Sequence, residues 1–376
     1  MRWSPSRRVR GRGGGAVSRP RRRALWRPAW PALLACSSAL LAVTVALLAA
    51  QVAAADTSAG DPLYVPTDRA VKMLLLKRLP RSPQLLILGG SRASRFEPAY
   101  FQELTGLRGF NLAFQNGRPE DAWAFVNFIH QRFPGTKLRV VWFLHVEAFR
   151  KQGLSPGLLQ DESLSRWFPP SLVASERKKL PTSPAEVPLS RDLALTSFGP
   201  DGVVLRNRYD IAEERGQSLP QAIAWSIDKA LARYATTEAA LSPRSQRYFD
   251  QTMDLLAQME TTQAVVLMPL HPRLLAAVRA AGWQKRHDEV MTYLTGLQAK
   301  YGFGLLDCSE LATFGGDPQQ FYDGFHIKRA NARKLTRSVV AKLPSAFAAA
   351  AGMQHVRRGA VALRLRPPVD SRRSRW

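Results

Sequence analysis

The chain has 376 residues, 45% hydrophobic and 22% charged, with a net charge of +25. That composition excludes a disordered chain, and the length holds one large domain with appendages. The charge sits at the ends: ten Arg and no acid lie between Arg2 and Arg27, and seven Arg face the lone Asp370 between Arg357 and Trp376, so the termini hold sixteen of the twenty-five net charges. No aromatic-rich basic repeat and no zinc-finger spacing accompanies them, which excludes nucleic acid as the expected partner. The two cysteines, Cys36 and Cys308, lie in an apolar N-terminal segment and deep in the chain, an implausible disulfide that leaves the redox compartment open.

Taken in chain order, residues 1–28 form a basic segment. The uncharged stretch Pro28–Ala55 follows, with the apolar core Pro31–Ala50. About 20 apolar residues span a bilayer, whereas a cleavable signal's apolar stretch runs about 7–15. Residues 29–55 are therefore read as a transmembrane helix, with Trp26 and Trp30 as interfacial anchors and the bilayer as a partner. The preceding Arg cluster keeps the N-terminus cytoplasmic and sends the rest of the chain outward. The alternative is a secreted chain cleaved near Ala55, after the small residues Ala53–Ala55.

Residues 56–75 read as a linker and 76–345 as the globular domain. Strands are expected at Gln84–Leu88, Gly109–Ala113, Leu138–Leu144, Gln263–Pro269 and Phe303–Asp307. Helical patterns fall at Glu97–Leu104, Pro119–Arg132, Ser245–Glu260 and Trp283–Lys300. Apolar strands alternating with helices predict a parallel sheet covered on both faces. A Pro-, Ser- and Arg-rich stretch at about 150–243, with one helical run at Leu219–Tyr234, interrupts the rhythm and is read as an insertion over the sheet's carboxyl edge, where such sheets bind ligands. Residues 346–376 read as a disordered basic tail.

Two segments carry chemistry. Leu86-Ile-Leu-Gly-Gly-Ser-Arg92 runs an apolar strand into two glycines and then Ser91, whose own N–H would face an oxyanion forming there. Asp323-Gly-Phe-His326 sets a carboxylate three residues from an imidazole, so that Asp323 can orient His326 and His326 can take a proton from a serine hydroxyl. Each alone is also what an ordinary helix cap looks like. His145 and His271 follow strands at the same edge; a structural role is the plain expectation for both, and substrate contact is the alternative for either, with His271 the one counted among the substrate-binding candidates. Arg92 either holds a substrate anion or pairs with an acid such as Glu97 or Asp121. No paired His/Cys spacing suggests a metal, and no cofactor is expected.

Taken together, in the order Ser91, Asp323, His326, these segments resemble the SGNH (GDSL-like) hydrolase superfamily. Gly89-Gly90-Ser91-Arg92 is similar to its first block and Asp323-Gly-Phe-His326 to its last. Phe110-Asn-Leu-Ala-Phe-Gln-Asn-Gly117 is similar to its second, as that block stands in the divergent branch of teichoic acid D-alanyl transfer and alginate O-acetylation proteins. The resemblance covers roughly Gln84–Leu343, insertion apart. It implies an α/β, three-layer flavodoxin-like SGNH fold of about five parallel strands behind one transmembrane helix. It implies Ser91 as nucleophile, His326 as base, Asp323 as orienting carboxylate and Gly117 as an oxyanion donor. It also implies esterase or O-acyltransferase activity on a cell-envelope glycan, an acyl donor, and a membrane acyltransferase as partner. The chain departs from the pattern twice: Gly90 stands where the family has Asp, and Phe143-Leu-His-Val-Glu147 replaces the third block, Gly-x-Asn-Asp, leaving Asn116 as the substitute oxyanion donor. A catalytically inactive fold that binds glycan or scaffolds an envelope assembly is the competing expectation.

A reporter enzyme fused after Gly352 tests the topology. Activity only outside the cytoplasm is expected; cytoplasmic activity refutes an outward-facing domain.

Overall fold

The computed structural model describes residues 68–180, 196–235 and 240–348. The apolar span 29–55, both Arg-rich ends and most of the expected linker and tail lie outside these residues. Among the described residues no helix is long and apolar enough to cross a membrane.

Five strands, β1 (Leu85–Gly89), β2 (Gly109–Asn111), β3 (Arg139–Leu144), β6 (Thr262–Leu267) and β7 (Gly304–Asp307), form one parallel sheet in the order β2-β1-β3-β6-β7. A two-stranded antiparallel hairpin, β4 (Ser197–Phe198) and β5 (Val204–Arg206), stands apart from it. The parallel strands lie where the apolar runs predicted them, because strands buried on both faces need continuous apolar sequence. Alternate residues feed two cores. Leu86, Leu88, Val140, Trp142, Val265 and Leu267 enter one; Leu85, Ile87, Val141, Phe143, Ala264 and Val266 enter the other.

The helices are α1 (Asp68–Arg78), α2 (Pro98–Thr105), α3 (Pro119–Arg132), the short α4 (Pro156–Gln160), α5 (Glu162–Ser165) and α6 (Pro170–Arg177), then α7 (Arg208–Glu214), α8 (Leu219–Ala235), α9 (Pro243–Gln258), α10 (Pro272–Val278), α11 (Gln284–Tyr301) and α12 (Arg329–Lys342). Helices α3, α9 and α11 cover the first core through Phe125, Phe249 and Leu294; α2 and α12 cover the second through Phe101 and Leu335. Helix α3 starts where Pro119 occupies its first turn and Asp121 accepts the Arg118 N–H at 3.0 Å.

Two expected boundaries need correction. Residues 68–75, assigned to the linker, belong to α1, which buries Met73 and Leu76 in the core. Three of its first five residues are charged, and two of them are buried: Lys72 is fully buried, donating to Asn111 Oδ1 at 3.1 Å and to the Ala113 carbonyl, and Arg69 donates to Asp121 Oδ1 at 2.9 Å. Residues 346 and 347, assigned to the tail, belong to the domain; Phe347 is buried, with its ring centroid 6.0 Å from that of Phe101. The insertion does more than cover the carboxyl edge: its hairpin closes the free side of β2, where Asn111 N–H donates to the Asp201 carbonyl at 2.8 Å.

Burial pushes the Lys72 ammonium down to about 7, with Asp68 and Asp201 opposing. Between that value and the ordinary 10.5 the unfolded chain binds this proton and the folded chain does not, so stability rises with pH across the window. Urea unfolding of wild type and Lys72→Met at pH 7 and pH 9 checks this. Wild type should gain on the variant by up to about 1.4 kcal/mol per pH unit; a difference independent of pH contradicts it.

Candidate active site

The strand order reverses between β1 and β3, the switch point at which ligands bind doubly wound sheets. Gly89 leaves β1 at φ 151°, a conformation for glycine, and a Cβ there would meet the Phe143 carbonyl oxygen at 2.6 Å. Ser91–Ala93 then form one 3-10 turn. As its first residue, Ser91 has an N–H with no partner inside the turn.

The loop after β7 returns the chain to the same edge. Phe321 bridges Ile327, and the Tyr322 N–H donates to the His326 carbonyl at 2.8 Å. Asp323 Oδ1 accepts the N–H groups of Phe325 and His326, both at 2.7 Å. His326 Nδ1 lies 2.9 Å from Asp323 Oδ2 and His326 Nε2 lies 2.9 Å from Ser91 Oγ. With Nδ1 facing a carboxylate, that nitrogen is assigned the proton, and Nε2 is left as an acceptor for the serine. Burial pushes the Asp323 carboxyl up, but the His326 ring and the two N–H donors outweigh it and hold it below its ordinary value. Ser91, Asp323 and His326 are thus brought together from opposite ends of the domain.

Four other expected site residues take different positions. The Gly117 N–H donates to the Phe114 carbonyl at 3.1 Å, so it is not a free oxyanion donor. Its need is steric: a Cβ at 117 would fall 2.3 Å from the Gly89 oxygen. Asn116 lies in the cleft with Ser91, exposed and at φ 56°, a left-handed position that Asn tolerates better than most side chains. Arg92 lines the cleft, but its partner is neither Glu97 nor Asp121. Those acids bind Arg333 and Arg69, and Arg92 Nη2 reaches Glu147 Oε2 at 3.2 Å. His271 does not line the cleft. It is buried at the start of α10, its Nδ1 accepts the Arg273 N–H at 3.2 Å, and its ring meets Phe321 edge-on. It supports the Asp323–His326 loop through its backbone N–H, which donates to the Gly324 carbonyl at 3.0 Å.

Glu147 joins the loops. Its Oε2 also faces His145 Nδ1 at 3.0 Å, and its Oε1 accepts the Tyr234 hydroxyl at 2.7 Å. Burial pushes Glu147 up, but Arg92, His145 and Tyr234 together hold it well below the usual carboxylate range. Burial lowers the His145 value, against the pull of Glu147. The other ring nitrogen of His145 lies over Gly90, 3.2 Å from where a Cβ would stand.

The insertion supplies groups that the sequence motifs do not announce. Tyr209, on α7, sets its hydroxyl 3.1 Å from His326 Nε2 and its ring centroid 4.3 Å from the imidazole. Two hydroxyls therefore share one nitrogen. Helix α7 is fixed there by Arg95, which pairs with Asp210, while Asp210 accepts the Tyr322 hydroxyl at 2.8 Å. The only signal in the sequence is the Asn207/Asp210 helix start, which says nothing of His326.

The cleft so formed measures about 210 Å³, and a second, more apolar cleft of about 420 Å³ shares Arg208, Tyr209, Trp225 and Asp323 with it. Among the described residues no three His, Cys, Asp or Glu side chains gather as metal ligands would. No family model matches the chain, and no curated protein matches it.

Glu147→Gln removes the anion facing the buried Arg92. A loss of about 3–5 kcal/mol in unfolding free energy is expected, since the guanidinium is left uncompensated. Tyr234→Phe deletes one hydrogen bond and should cost about 1–2 kcal/mol. Equal losses in a denaturant titration would place the stabilisation elsewhere.

Proposed function

We propose that the chain is a membrane-anchored, extracytoplasmic serine esterase or O-acyltransferase of SGNH type, acting on ester-linked acyl groups of a cell-envelope glycan. The observation that supports it most is the run of contacts from Asp323 through His326 to Ser91, with 2.9 Å at each end of the imidazole. The choice of glycan and the envelope location rest on the sequence resemblance and on the uncharged span 29–55.

In the proposed reaction His326 Nε2 takes the Ser91 hydroxyl proton as Oγ bonds to the ester carbonyl carbon. The carbonyl oxygen becomes an oxyanion facing the Ser91 N–H and Asn116. Collapse breaks the ester C–O bond, and the leaving alcohol takes the proton from His326. The acyl group is then on Ser91. Water or an acceptor hydroxyl gives its proton to His326 and attacks, releasing acid or a new ester and returning the proton to Ser91. Asp323 holds the proton of Nδ1 in place and stabilises the imidazolium. Tyr209 competes with Ser91 for Nε2 in the resting state and flanks the same nitrogen once it is protonated.

A second reading keeps the fold and drops the chemistry, as a glycan-binding scaffold. What favours it is that His145, held by Glu147, occupies the position of the family's third block, where an oxyanion-binding Asn is usual.

A fluorophosphonate probe and an aryl acetate assay separate the two. Ser91→Ala should abolish labelling and cut turnover by about 10⁴-fold or more, with the fold intact. His326→Ala should do nearly the same, and Asp323→Asn should retain more activity. The double change Ser91→Ala with His326→Ala should be no worse than either alone, because the three act as one unit. Full activity in Ser91→Ala refutes the catalytic assignment and favours the scaffold.

A further inference from the structure

We infer that Tyr209 decides the fate of the acyl group on Ser91: its hydroxyl shields the acyl-enzyme from water, so that the group is held for an acceptor hydroxyl instead of being hydrolysed. The inference rests on the proposed serine chemistry for the existence of an acyl-enzyme, but its own basis is the position of Tyr209. The Tyr209 hydroxyl lies 3.1 Å from His326 Nε2, and Ser91 Oγ lies 2.9 Å from the same atom. An imidazole with its proton on Nδ1 has one acceptor site at Nε2, so the two hydroxyls compete for it. Acylation ends the competition. Once Oγ is an ester oxygen it has no proton to donate, and the Tyr209 hydroxyl takes the site. A nucleophile that discharges the acyl group must give its proton to Nε2, so it has to displace Tyr209 first.

Tyr209 is held in place by more than its contact with the ring. Its N–H donates to Asn207 Oδ1 at 3.0 Å, and its hydroxyl accepts from Arg208 Nη2 at 3.0 Å. Asp210, next along α7, accepts the Asn207 N–H at 2.7 Å and the Tyr322 hydroxyl at 2.8 Å, and it pairs with Arg95. Glu213, one turn on, accepts from Lys328. Tyr322 and Lys328 flank Asp323 and His326 in sequence, so α7 is fastened to the loop that carries the histidine. Excluding water from a reactive intermediate is what prevents its hydrolysis. Water offers one hydrogen bond in exchange for the one it breaks, whereas a larger acceptor brings binding energy from its other contacts. Room for such an acceptor adjoins the site: Tyr209 lines both the Ser91 cleft and the second cleft of about 420 Å³, whose walls include Trp225, Tyr322 and Phe321. In the transfer the acceptor oxygen bonds to the acyl carbon and its proton passes to Nε2. The carbon–Oγ bond then breaks, and the proton returns to Oγ.

Rapid-mixing kinetics of the full-length chain with para-nitrophenyl acetate test this. Wild type should release a burst of nitrophenol and then turn over slowly, because deacylation limits the rate. Tyr209→Phe keeps the ring on the imidazole and removes the hydroxyl. Its deacylation should be faster by roughly three- to tenfold, the worth of one hydrogen bond, with acylation no slower than in wild type. Intact-protein mass after an acid quench should show the acetylated chain accumulating in wild type and less of it in the variant. Rates are taken per fluorophosphonate-reactive site, so loss of folded protein does not imitate the effect. Tyr293→Phe, which removes a hydroxyl bonded to the Gln246 carbonyl outside both clefts, should leave both steps unchanged. Deacylation that is unchanged or slower in Tyr209→Phe, an equal loss in both steps, or a wild type that labels but shows no burst overturns the inference and leaves Tyr209 as a support for the ring. Failure of the serine chemistry itself would look different: wild type would neither take up fluorophosphonate nor release nitrophenol, and the role of Tyr209 would fall with it.

Discussion

The backbone of β1 approaches its two neighbours so closely that only glycine fits at the contacts, and the candidate site depends on that approach. A methyl at Gly89 would meet the Phe143 oxygen at 2.6 Å, and one at Gly117 would meet the Gly89 oxygen at 2.3 Å. The loops after β1, β2 and β3 are therefore drawn to one point at the switch of the sheet. Ser91, Asn116 and His145 come from those three loops and line one cleft because of it. A side chain at either glycine would force these backbones apart.

Buried charge does the rest of the positioning. Three of the first five residues of α1 hold the β2 loop: Asp68 accepts the Gln115 N–H, Arg69 binds Asp121, and Lys72 binds Asn111 and the Ala113 carbonyl. Glu147 does the same between β3, the Ser91 turn and α8. Such groups are costly to bury unless each is paired. Their pairing is selective as well as stabilising, since a displaced loop would leave a charge without its partner.

The sheet was legible because it is local in origin. Each strand is a continuous apolar run, and burial on both faces leaves no other pattern. The Ser91 turn and the Asp323–His326 loop were legible for a similar reason, as their geometry is written within seven adjacent residues. What was missed depends on contacts distant in sequence. Helix α1 reads as linker because the buried partners of Lys72 and Arg69 lie far along the chain, at 111 and 121. Gly117 was given a donor's role, although its N–H closes a turn with Phe114 and its missing side chain is what the fold uses. Tyr209 sits in a stretch of ordinary helix-start residues, and nothing local connects it with a histidine 117 positions later.

The two departures from the SGNH pattern are physically one. His145 stands in the third-block position and lies over Gly90, where even a Cβ would be 3.2 Å from its ring nitrogen. An Asp at 90 would require that imidazole to give way by a few tenths of an ångström, and the imidazole is held there by Glu147. Glu147 in turn binds Arg92, the residue after Ser91. Residues 90, 92, 145 and 147 therefore form a single self-consistent set, a His–Glu–Arg cluster packed over Gly90. Such a set does not by itself remove a nucleophile, because Ser91, His326 and Asp323 lie outside it and keep their contacts. In the proposed reaction, oxyanion binding would then fall to the Ser91 N–H and Asn116.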